Sequence, residues 1–309
     1  MWWVLMVQLA YDFPLFFLYI LTCYVIVSRR HLYSSSFFTI FLAAAPGHLT
    51  IAIVSFVLIR VPYQVCKGCP LDFIYERILV PPFSSFGFFL KFQLFFSYQA
   101  LILLLALNRI SAIIEPVRYE TFWKYAAVPS CILAYIVPLI STYPFIFHPS
   151  RFDYVHSVEG YIIRLKNTDI KPVFLSLIRF ILLVTALTLI VNLLSAYLFI
   201  KRKSRNRAEN ALLFTSIAHF FIQTAVAIMT TAFAFASEDD QRRKLISRFA
   251  MTGYPYVSDL ATLTSPLLLL AFCKQLRSDI CQFFLFRKKT SLVRQASRKS
   301  MVQTQIALS

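Results

Sequence analysis

The segment Val173–Ile200 reads VFLSLIRFILLVTALTLIVNLLSAYLFI, 28 mostly apolar residues with one charged side chain, Arg179. About 20 apolar residues in an α-helix cross the hydrocarbon core of a bilayer, so the segment predicts a transmembrane helix. In lipid only helices and closed barrels satisfy the backbone, and the segment is too long and too continuous for a barrel strand. Six further segments share this character, namely Leu9–Val27, Phe37–Ile59, Phe86–Leu107, Tyr125–Ile146, Ala211–Phe235 and Phe249–Phe272. We therefore predict an all-α fold, a bundle of seven transmembrane helices.

The basic residues are unevenly distributed among the connections between these segments. The first, third and fifth connections and the C-terminal tail hold 18 of the 31 Lys and Arg residues, against 11 in the second, fourth and sixth. Because basic loops stay cytoplasmic, we expect the N-terminus outside and the tail Cys273–Ser309 inside. The formal charge of +17 is then mainly a topology signal that also favours anionic lipid. Nucleic-acid binding fits poorly, because these basic residues are split among short loops.

The composition and loop lengths leave no room for a second folded domain. Only 15% of residues are charged, where soluble domains carry about a quarter. Residues 1–289 are predicted to form the transmembrane domain, and the polar, basic residues 290–309 a disordered tail. Between the seventh segment and this tail, Lys274–Phe286 predicts a short amphipathic helix lying on the inner leaflet. The first segment has no basic residues before it and no cleavage site after it, so we expect it to remain in the protein.

Two groups of cysteines invite interpretation. Cys66 and Cys69 form a Cys-Lys-Gly-Cys pair in the second connection, which the charge pattern places outside. A local disulfide, an intermolecular bond and free thiols are all compatible with an oxidising compartment. A zinc site would need further ligands. Cys281 lies in the predicted amphipathic helix and is a candidate for palmitoylation, the alternative being an unmodified surface cysteine.

The third segment ends in Asn108-Arg109-Ile110, and Pro116, Tyr119 and Trp123 follow. An Arg at this depth can simply extend to the membrane interface. Rhodopsin-type receptors end their third helix in an acidic-Arg-aromatic triplet followed by a Pro, which this element resembles. The combination of Asn-Arg, Pro, Tyr and Trp resembles more closely the nematode serpentine chemoreceptors of the gamma superfamily, the class gamma and class V groups.

The seventh segment extends this resemblance. Ser258-Asp259-Leu260 is followed by Ser265-Pro266-Leu267, which is similar to the family's polar-Pro-apolar element. The resemblance implies a G-protein-coupled chemosensory receptor in the plasma membrane of a sensory neuron or its cilium. It implies a small-molecule ligand, a heterotrimeric G protein and membrane lipids as partners, no cofactor and no enzymatic activity. It also assigns Pro266 to a bend in helix seven.

The cytoplasmic residues that would contact a G protein follow from the same resemblance. Asn108, Arg109 and Pro116 belong to the coupling region after the third segment. The short basic loop Lys201-Arg202-Lys203-Ser204-Arg205 also lies where a G protein would bind, although it serves as a topology anchor as well.

Several positions depart from the rhodopsin-type pattern. Asn108 replaces the acid, so no neighbouring carboxylate can hold Arg109, and Ser265 replaces the usual Asn before Pro266. The sixth segment has neither Trp nor Pro. The loop Phe147–Pro172 has no Cys for the usual disulfide to helix three. These departures weaken mechanistic transfer from rhodopsin-type receptors.

Ionisable residues inside the segments mark candidate binding positions, because such groups are costly in lipid. Lys91 and Arg179 lie near the outer ends of the third and fifth segments, where they either reach the headgroups or line a cavity. Asp259 falls near the middle of the seventh segment and needs a partner, a proton or water. The candidate partners are His48, Asn192, His219 and Gln223. The resulting polar network is either a switch or a static feature.

We expect the ligand pocket between the outer halves of helices three, five, six and seven. Helix three offers Phe92, Phe96 and Gln99 there, and Lys91 and Arg179 would favour an acidic headgroup. An apolar, aromatic cavity suits a small hydrophobic ligand. The alternative is a small membrane transporter or channel, which would need charged residues along a continuous path. Scattered histidines without a His-Glu-x-x-His pattern argue against a membrane enzyme.

Overall fold

The computed structural model describes residues 2–156, 160–165, 171–201, 207–235, 253 and 256–283. Its helices are α1 (Trp2–Ser28), α2 (Ser36–Ser55), α3 (Val61–Gln64), α4 (Phe83–Ile114), α5 (Pro116–Ile136), α6 (Leu139–Thr142), α7 (Pro144–Phe147), α8 (Lys171–Lys201), α9 (Arg207–Phe235), α10 (256–263), α11 (Ser265–Phe272) and α12 (274–283). Two π-helical turns, Phe56–Arg60 and Ile74–Ile78, complete the helical structure of the described residues.

Six helical segments of the described chain are long and apolar enough to cross a membrane. They are Leu5–Ser28, Ser36–Gln64, Phe83–Ile114, Pro116–Thr142, Leu175–Lys201 and Phe214–Ala232. The described part of the predicted seventh segment, 256–272, is helical except at Thr264. The helical membrane bundle is therefore confirmed.

The third and fourth helices have different bounds from the predicted apolar segments. Helix α4 continues to Ile114, seven residues past the predicted end at Leu107, and α5 begins at Pro116 rather than Tyr125. Hydropathy identifies only the apolar stretch of a helix. The helix itself continues through polar residues as long as its backbone hydrogen bonds continue. Pro116 occupies the first turn of α5, where a missing N–H costs nothing. Asn108 and Arg109 consequently lie inside α4.

The second helix also extends beyond its predicted end. A π-helical turn, Phe56–Arg60, joins α2 to α3, so the helical segment runs from Ser36 to Gln64. The predicted second segment ends at Ile59 and leaves Arg60 in the following loop, whereas the structure buries Arg60, which is only 3% exposed. The extension carries its guanidinium into the protein.

A β-hairpin that the sequence analysis did not predict covers one end of the bundle. Strand β1 (Ser150–Val155) pairs antiparallel with β2 (Gly160–Leu165), from Ser150 opposite Leu165 to Val155 opposite Gly160. The hairpin packs on residues 61–79 through a cluster of Leu58, Val65, Tyr75, Phe152 and Tyr161. We call residues 61–79 and 150–165 the cap, and this end of the bundle the hairpin end.

Helix α4 is the central element of the bundle, since it packs against α2, α5, α8 and α9. At the opposite end from the cap, α12 lies against the connection between α1 and α2. Its buried Leu276 and Ile280 join a cluster with Tyr33 and Phe37. We call this the tail end. The predicted amphipathic helix is confirmed over 274–283, with its apolar side packed on the bundle.

Candidate ligand-binding and coupling sites

Three charged side chains form a buried ionic cluster near the hairpin end. Arg60 makes ion pairs with Asp12 of α1 and Asp259 of α10, and the side chains of Arg60 and Asp259 are only 2% and 4% exposed. The Tyr11 hydroxyl donates to Asp259 at 2.8 Å. This ionic cluster joins α1, the end of α2 and α10 at one level of the bundle.

The partners of Asp259 differ from those proposed from the sequence. None of His48, Asn192, His219 and Gln223 is its described partner; Arg60 and Tyr11 are. That expectation was wrong because Arg60 was assigned to a loop. The only available signal was its position directly after the apolar residue Ile59, where one more helical turn buries the side chain.

The predicted pocket residues of helix three belong to a buried aromatic cluster. Phe92 stacks on Phe145 with ring centroids 5.0 Å apart, and Phe96 meets Phe180 of α8 edge-on at 5.6 Å. Phe88 completes the contact, 5.4 Å from Phe145. These rings, with Ile181 of α8 and Val226 of α9, form what we call the aromatic cluster. The structure thus brings α4, α8 and α9, the third, fifth and sixth membrane helices, together with α7, which ends the fourth predicted segment rather than belonging to helix seven.

Two buried amides lie on the helices of this cluster. Gln99 of α4 and Gln223 of α9 are both fully buried. Among the described residues, neither the nitrogen nor the oxygen of either amide has a hydrogen-bond partner. A buried amide without partners costs roughly 1–3 kcal/mol, so such groups are normally satisfied by water or by a ligand.

The two predicted cationic pocket residues have different positions. Lys91 is half-buried, and its Nζ lies 5.4 Å from the centroid of the Phe92 ring, within cation–π range. Arg179 is exposed on α8, whereas its neighbours Leu177 and Ile178 are buried. The exposure of Arg179 fits the alternative in which it reaches the headgroups, because the period of α8 turns its side chain outward. Lys91 alone adjoins the aromatic cluster.

The middle of the bundle holds a small cavity whose mostly apolar lining includes a few polar side chains. Tyr19 and His48 Nδ1 form a 2.7 Å hydrogen bond, and the His48 ring meets Tyr98 edge-on at 5.0 Å. His48, Tyr98, His219 and Ser265 line a cavity with about 20 Å³ open to the centre of a water molecule. That volume suffices for one water.

Asn108 makes a hydrogen-bonded junction at the tail end. Its Nδ2 donates to Ser36 Oγ at 2.7 Å, and its Oδ1 accepts from the Tyr119 hydroxyl at 3.0 Å. The backbone carbonyl of Asn108 accepts from Ser111, whose Oγ accepts from Trp123 Nε1 at 2.6 Å. The Asn, Tyr and Trp of the motif are therefore one network that joins α2, α4 and α5.

A larger cavity opens beside this junction. About 70 Å³ is open to the centre of a water molecule. Its lining residues are Phe37, Ile102, Leu105, Asn108, Arg109, Ala112, Ile113, Tyr119, Phe199, Thr215, Ser216 and His219. Arg109 is 8% exposed, and its Nη2 has no hydrogen-bond partner among the described residues. We call this space the tail-end cavity.

The remaining coupling candidates flank the tail end. Pro116 is exposed at the start of α5, and Lys201 is exposed at the end of α8. Arg202 and Arg205 lie outside the described residues. The structure therefore places Arg109 inside the bundle, with Pro116 and Lys201 on its surface.

Helix seven is interrupted next to the predicted bend. The helical residues of α10 end at 263, and α11 begins at Ser265 with Pro266 in its first turn. A proline removes a helical N–H and crowds the carbonyl four residues earlier. Pro266 thus lies two residues after the break at Thr264, and Ser265 between them lines the small central cavity.

The cap is held by a disulfide and by tyrosine hydrogen bonds. Cys66 and Cys69 are joined in a disulfide. Tyr161 of β2 donates to Asp72, and the Gly68 N–H donates to the same carboxylate at 2.7 Å. The Tyr161 hydroxyl, followed by the Gly68 N–H, holds the pKa of Asp72 below its ordinary value. The charged form of Asp72 is therefore the one that binds the hairpin to residues 61–79 of the cap.

Helix α12 is fastened to the first connection by Asp279. This carboxylate pairs with Arg29 and accepts a 2.6 Å hydrogen bond from Tyr33. Burial, reinforced by Asp279, raises the pKa of the Tyr33 hydroxyl. Cys281 on the same helix is an exposed free thiol, the exposure that lipidation would require.

Comparison with known proteins agrees with this architecture. Residues 5–280 match the sequence model of the Srg family chemoreceptors. Serpentine receptor class gamma-31 of Caenorhabditis elegans is 25% identical over 233 residues, covering 73% of this chain and 74% of the relative. Serpentine receptor class gamma-15 of the same organism is 27% identical over 225 residues, covering 71% and 69%.

Proposed function

Because the chain belongs to the Srg family of chemoreceptors, we propose that it binds a small ligand in the aromatic cluster and signals through a heterotrimeric G protein. The observation that carries the ligand site is the Gln99 amide. It is fully buried on α4, three residues after Phe96, and neither of its polar atoms has a described partner. A small, mostly apolar molecule with one hydrogen-bonding group would satisfy it and fill an aromatic site.

The ligand class follows from the side chains that precede Gln99 on α4. Phe92 and Phe96 present apolar faces, and the Lys91 ammonium lies at the edge of the same cluster. A ligand with an apolar body and an acidic or carbonyl group would contact both kinds of surface. Such a ligand would bias the helices that it contacts towards one arrangement.

The hairpin end is proposed to face outside and the tail end the cytoplasm of a sensory neuron. The uneven distribution of Lys and Arg supports this orientation, since basic connections remain cytoplasmic. The Cys66–Cys69 disulfide in the cap is consistent with it, because disulfides persist in oxidising compartments. Ligand would then enter past the cap.

The coupling surface is proposed at the tail end. Asn108 and Arg109 line the tail-end cavity, and Pro116 and Lys201 are exposed around it. Arg202 and Arg205 follow Lys201 in sequence and would add positive charge to the same surface. The membrane-facing side of α12, with exposed Cys281, would contact inner-leaflet lipid.

Asp259 is proposed to act through the ionic cluster rather than as a free ligand contact. It links α10 to α1 and α2, and α10 leads directly into the break at Thr264. A ligand that displaces α10 would change the geometry of these ion pairs. Unchanged surface expression and signalling in Asp259→Asn would contradict this role.

The proposal is tested by a ligand panel in cells that express the receptor with an N-terminal tag. Staining of intact cells reports orientation, and second-messenger changes report coupling to small apolar and acidic compounds. Gln99→Leu should lower the potency of an active compound by about tenfold, the value of one hydrogen bond of roughly 1–1.5 kcal/mol. Gln275→Leu makes the same exchange at an exposed position of α12 and should change nothing.

A second variant tests the proposed coupling to a G protein. Arg109→Ala should abolish the response while surface staining persists. A tag that stains only in permeabilised cells would overturn the orientation. Ligand-gated ion flux that needs no G protein would instead support the channel alternative.

A further inference from the structure

Arg109 is a buried cation that faces a cavity. Its side chain extends from α4 into the tail-end cavity, and the residue is 8% exposed. Its Nη2 atom is inaccessible to solvent and has no hydrogen-bond partner among the described residues. Burying a charge without a partner is costly, so a guanidinium in this position needs a counter-charge.

The cavity does not supply that counter-charge. None of the twelve described residues that line it carries a carboxylate. Asn108 stands where an acid would be adjacent, and its amide is already bonded to Ser36 and Tyr119. At the nearby α4–α5 corner, Glu115 and Glu120 are exposed.

The cavity does supply a second hydrogen-bonding group. His219 of α9 lines it opposite α4, and its Nδ1 has no described partner. The space of about 70 Å³ exceeds the roughly 10–15 Å³ that one water requires. A guest larger than water therefore fits the cavity that both Arg109 and His219 line.

We propose that the tail-end cavity binds a small inorganic anion on Arg109, which provides the negative charge that Asn108 lacks. The anion accepts a charge-assisted hydrogen bond from Nη2 and a second bond from the N–H of the neutral His219 imidazole, in the tautomer that carries its proton on Nδ1. The apolar lining, which includes Phe37 and Phe199, reduces competition from water. This inference rests on the buried guanidinium and is independent of G-protein coupling.

Thermal unfolding of the purified full-length receptor tests the inference. Sodium chloride replaces sodium isethionate, a weakly coordinating sulfonate, at constant ionic strength, and a parallel series uses sodium phosphate. Chloride should raise Tm saturably by about 2–4 °C, as expected for a ligand that binds only the folded state. A rise with phosphate and none with chloride would assign an oxyanion to the same site.

Two variants and one control connect the effect to the cavity. Arg109→Gln should abolish the anion-dependent rise, and Arg118→Gln, at an exposed position in α5, should retain it. Ala112→Leu fills the cavity but keeps the charge, so it should weaken the rise if Arg109→Gln does not fold. No rise in the wild type with either anion, or an undiminished rise in both cavity variants, would overturn the inference.

Discussion

Arg60 shows how one residue changes the interpretation of its neighbours. The charge pattern treats it as a loop residue, yet it is buried and bound to Asp12 and Asp259. Two carboxylates that would each be costly inside a membrane protein become tolerable because they share one guanidinium. Asp12, Arg60 and Asp259 are therefore a single ionic group in which each charge already has a partner.

Replacing Arg60 should destabilise the receptor strongly. Arg60→Leu leaves two carboxylates without their cation, and breaking a buried pair in this way costs about 3–5 kcal/mol. Thermal unfolding of the purified protein measures this loss. Arg151→Leu is the matched control, because its pair with Asp153 is exposed and should contribute less than about 1 kcal/mol.

A double variant separates lost charge pairing from lost packing. Adding Asp259→Asn to Arg60→Leu removes one of the stranded carboxylates and should recover part of the stability. Additive losses in the double variant would show that Arg60 stabilises the protein through packing alone.

At the scale of elements, the cap depends on a close approach between the hairpin and α3. A Cβ on Gly160 would lie 2.5 Å from the backbone oxygen of Tyr63. Backbone cannot move aside as the end of a side chain can. The hairpin therefore packs this closely on α3 only because position 160 has no side chain.

Gly160→Ala should loosen the cap. The added methyl forces the hairpin away from Tyr63, at a cost of about 1–3 kcal/mol for overpacking. Faster tryptic cleavage at Arg151 in β1 would report it. His156→Ala, at an exposed turn of the same hairpin, should leave cleavage unchanged, and equal cleavage in both variants would contradict the packing argument.

The cap should also open in acid. The Tyr161 hydroxyl lowers the pKa of Asp72 in the folded cap. A carboxylate whose pKa is lowered on folding stabilises the folded cap fully at pH values above its ordinary pKa of about 4. It loses that contribution as the pH falls through the lowered pKa. Hydrogen exchange of residues 61–79, corrected for intrinsic rates, should therefore rise between about pH 5 and pH 3. Tyr161→Phe should flatten this rise, and an identical profile in that variant would exclude Asp72 as its source.

At the scale of the whole molecule, contacts distant in sequence join the first and last parts of the chain. Asp279 binds Arg29 and Tyr33, and Asp259 binds Tyr11 and Arg60. Helix seven and α12 are therefore held against α1 at both ends of the bundle. Between these two contacts lies the break at Thr264, which the nearby Pro266 explains.

Removing the contact of Asp279 with Arg29 and Tyr33 should weaken the packing of α12 on the bundle. Asp279→Ala removes a carboxylate that accepts from Arg29 and Tyr33, at a cost of about 2 kcal/mol. Hydrogen exchange of 274–283 in the purified receptor should increase, while that of α4 stays unchanged. Ser278→Ala alters the exposed neighbouring position and should have no effect. An equal increase in α4 would indicate global destabilisation instead.

The sequence by itself determined the membrane bundle, its approximate spans and the family, because hydropathy and short motifs are local properties of a chain. It also assigned Phe92, Phe96 and Gln99 to a ligand pocket; the structure buries Phe96 and Gln99 in the bundle, and their role in binding stays a prediction. Helix ends were less predictable, because polar residues such as Asn108 continue a helix once tertiary partners satisfy them.

Only the tertiary structure decided which polar groups meet. The contacts Arg60 to Asp259 and Asp279 to Arg29 join residues about 200 and 250 positions apart, and no local pattern encodes such a pairing. The outward direction of Arg179 and the cavity beside Arg109 likewise depend on how whole helices rotate and pack. Membrane insertion responds to the sum of apolar residues in a segment, whereas a polar pair requires a specific geometry between segments.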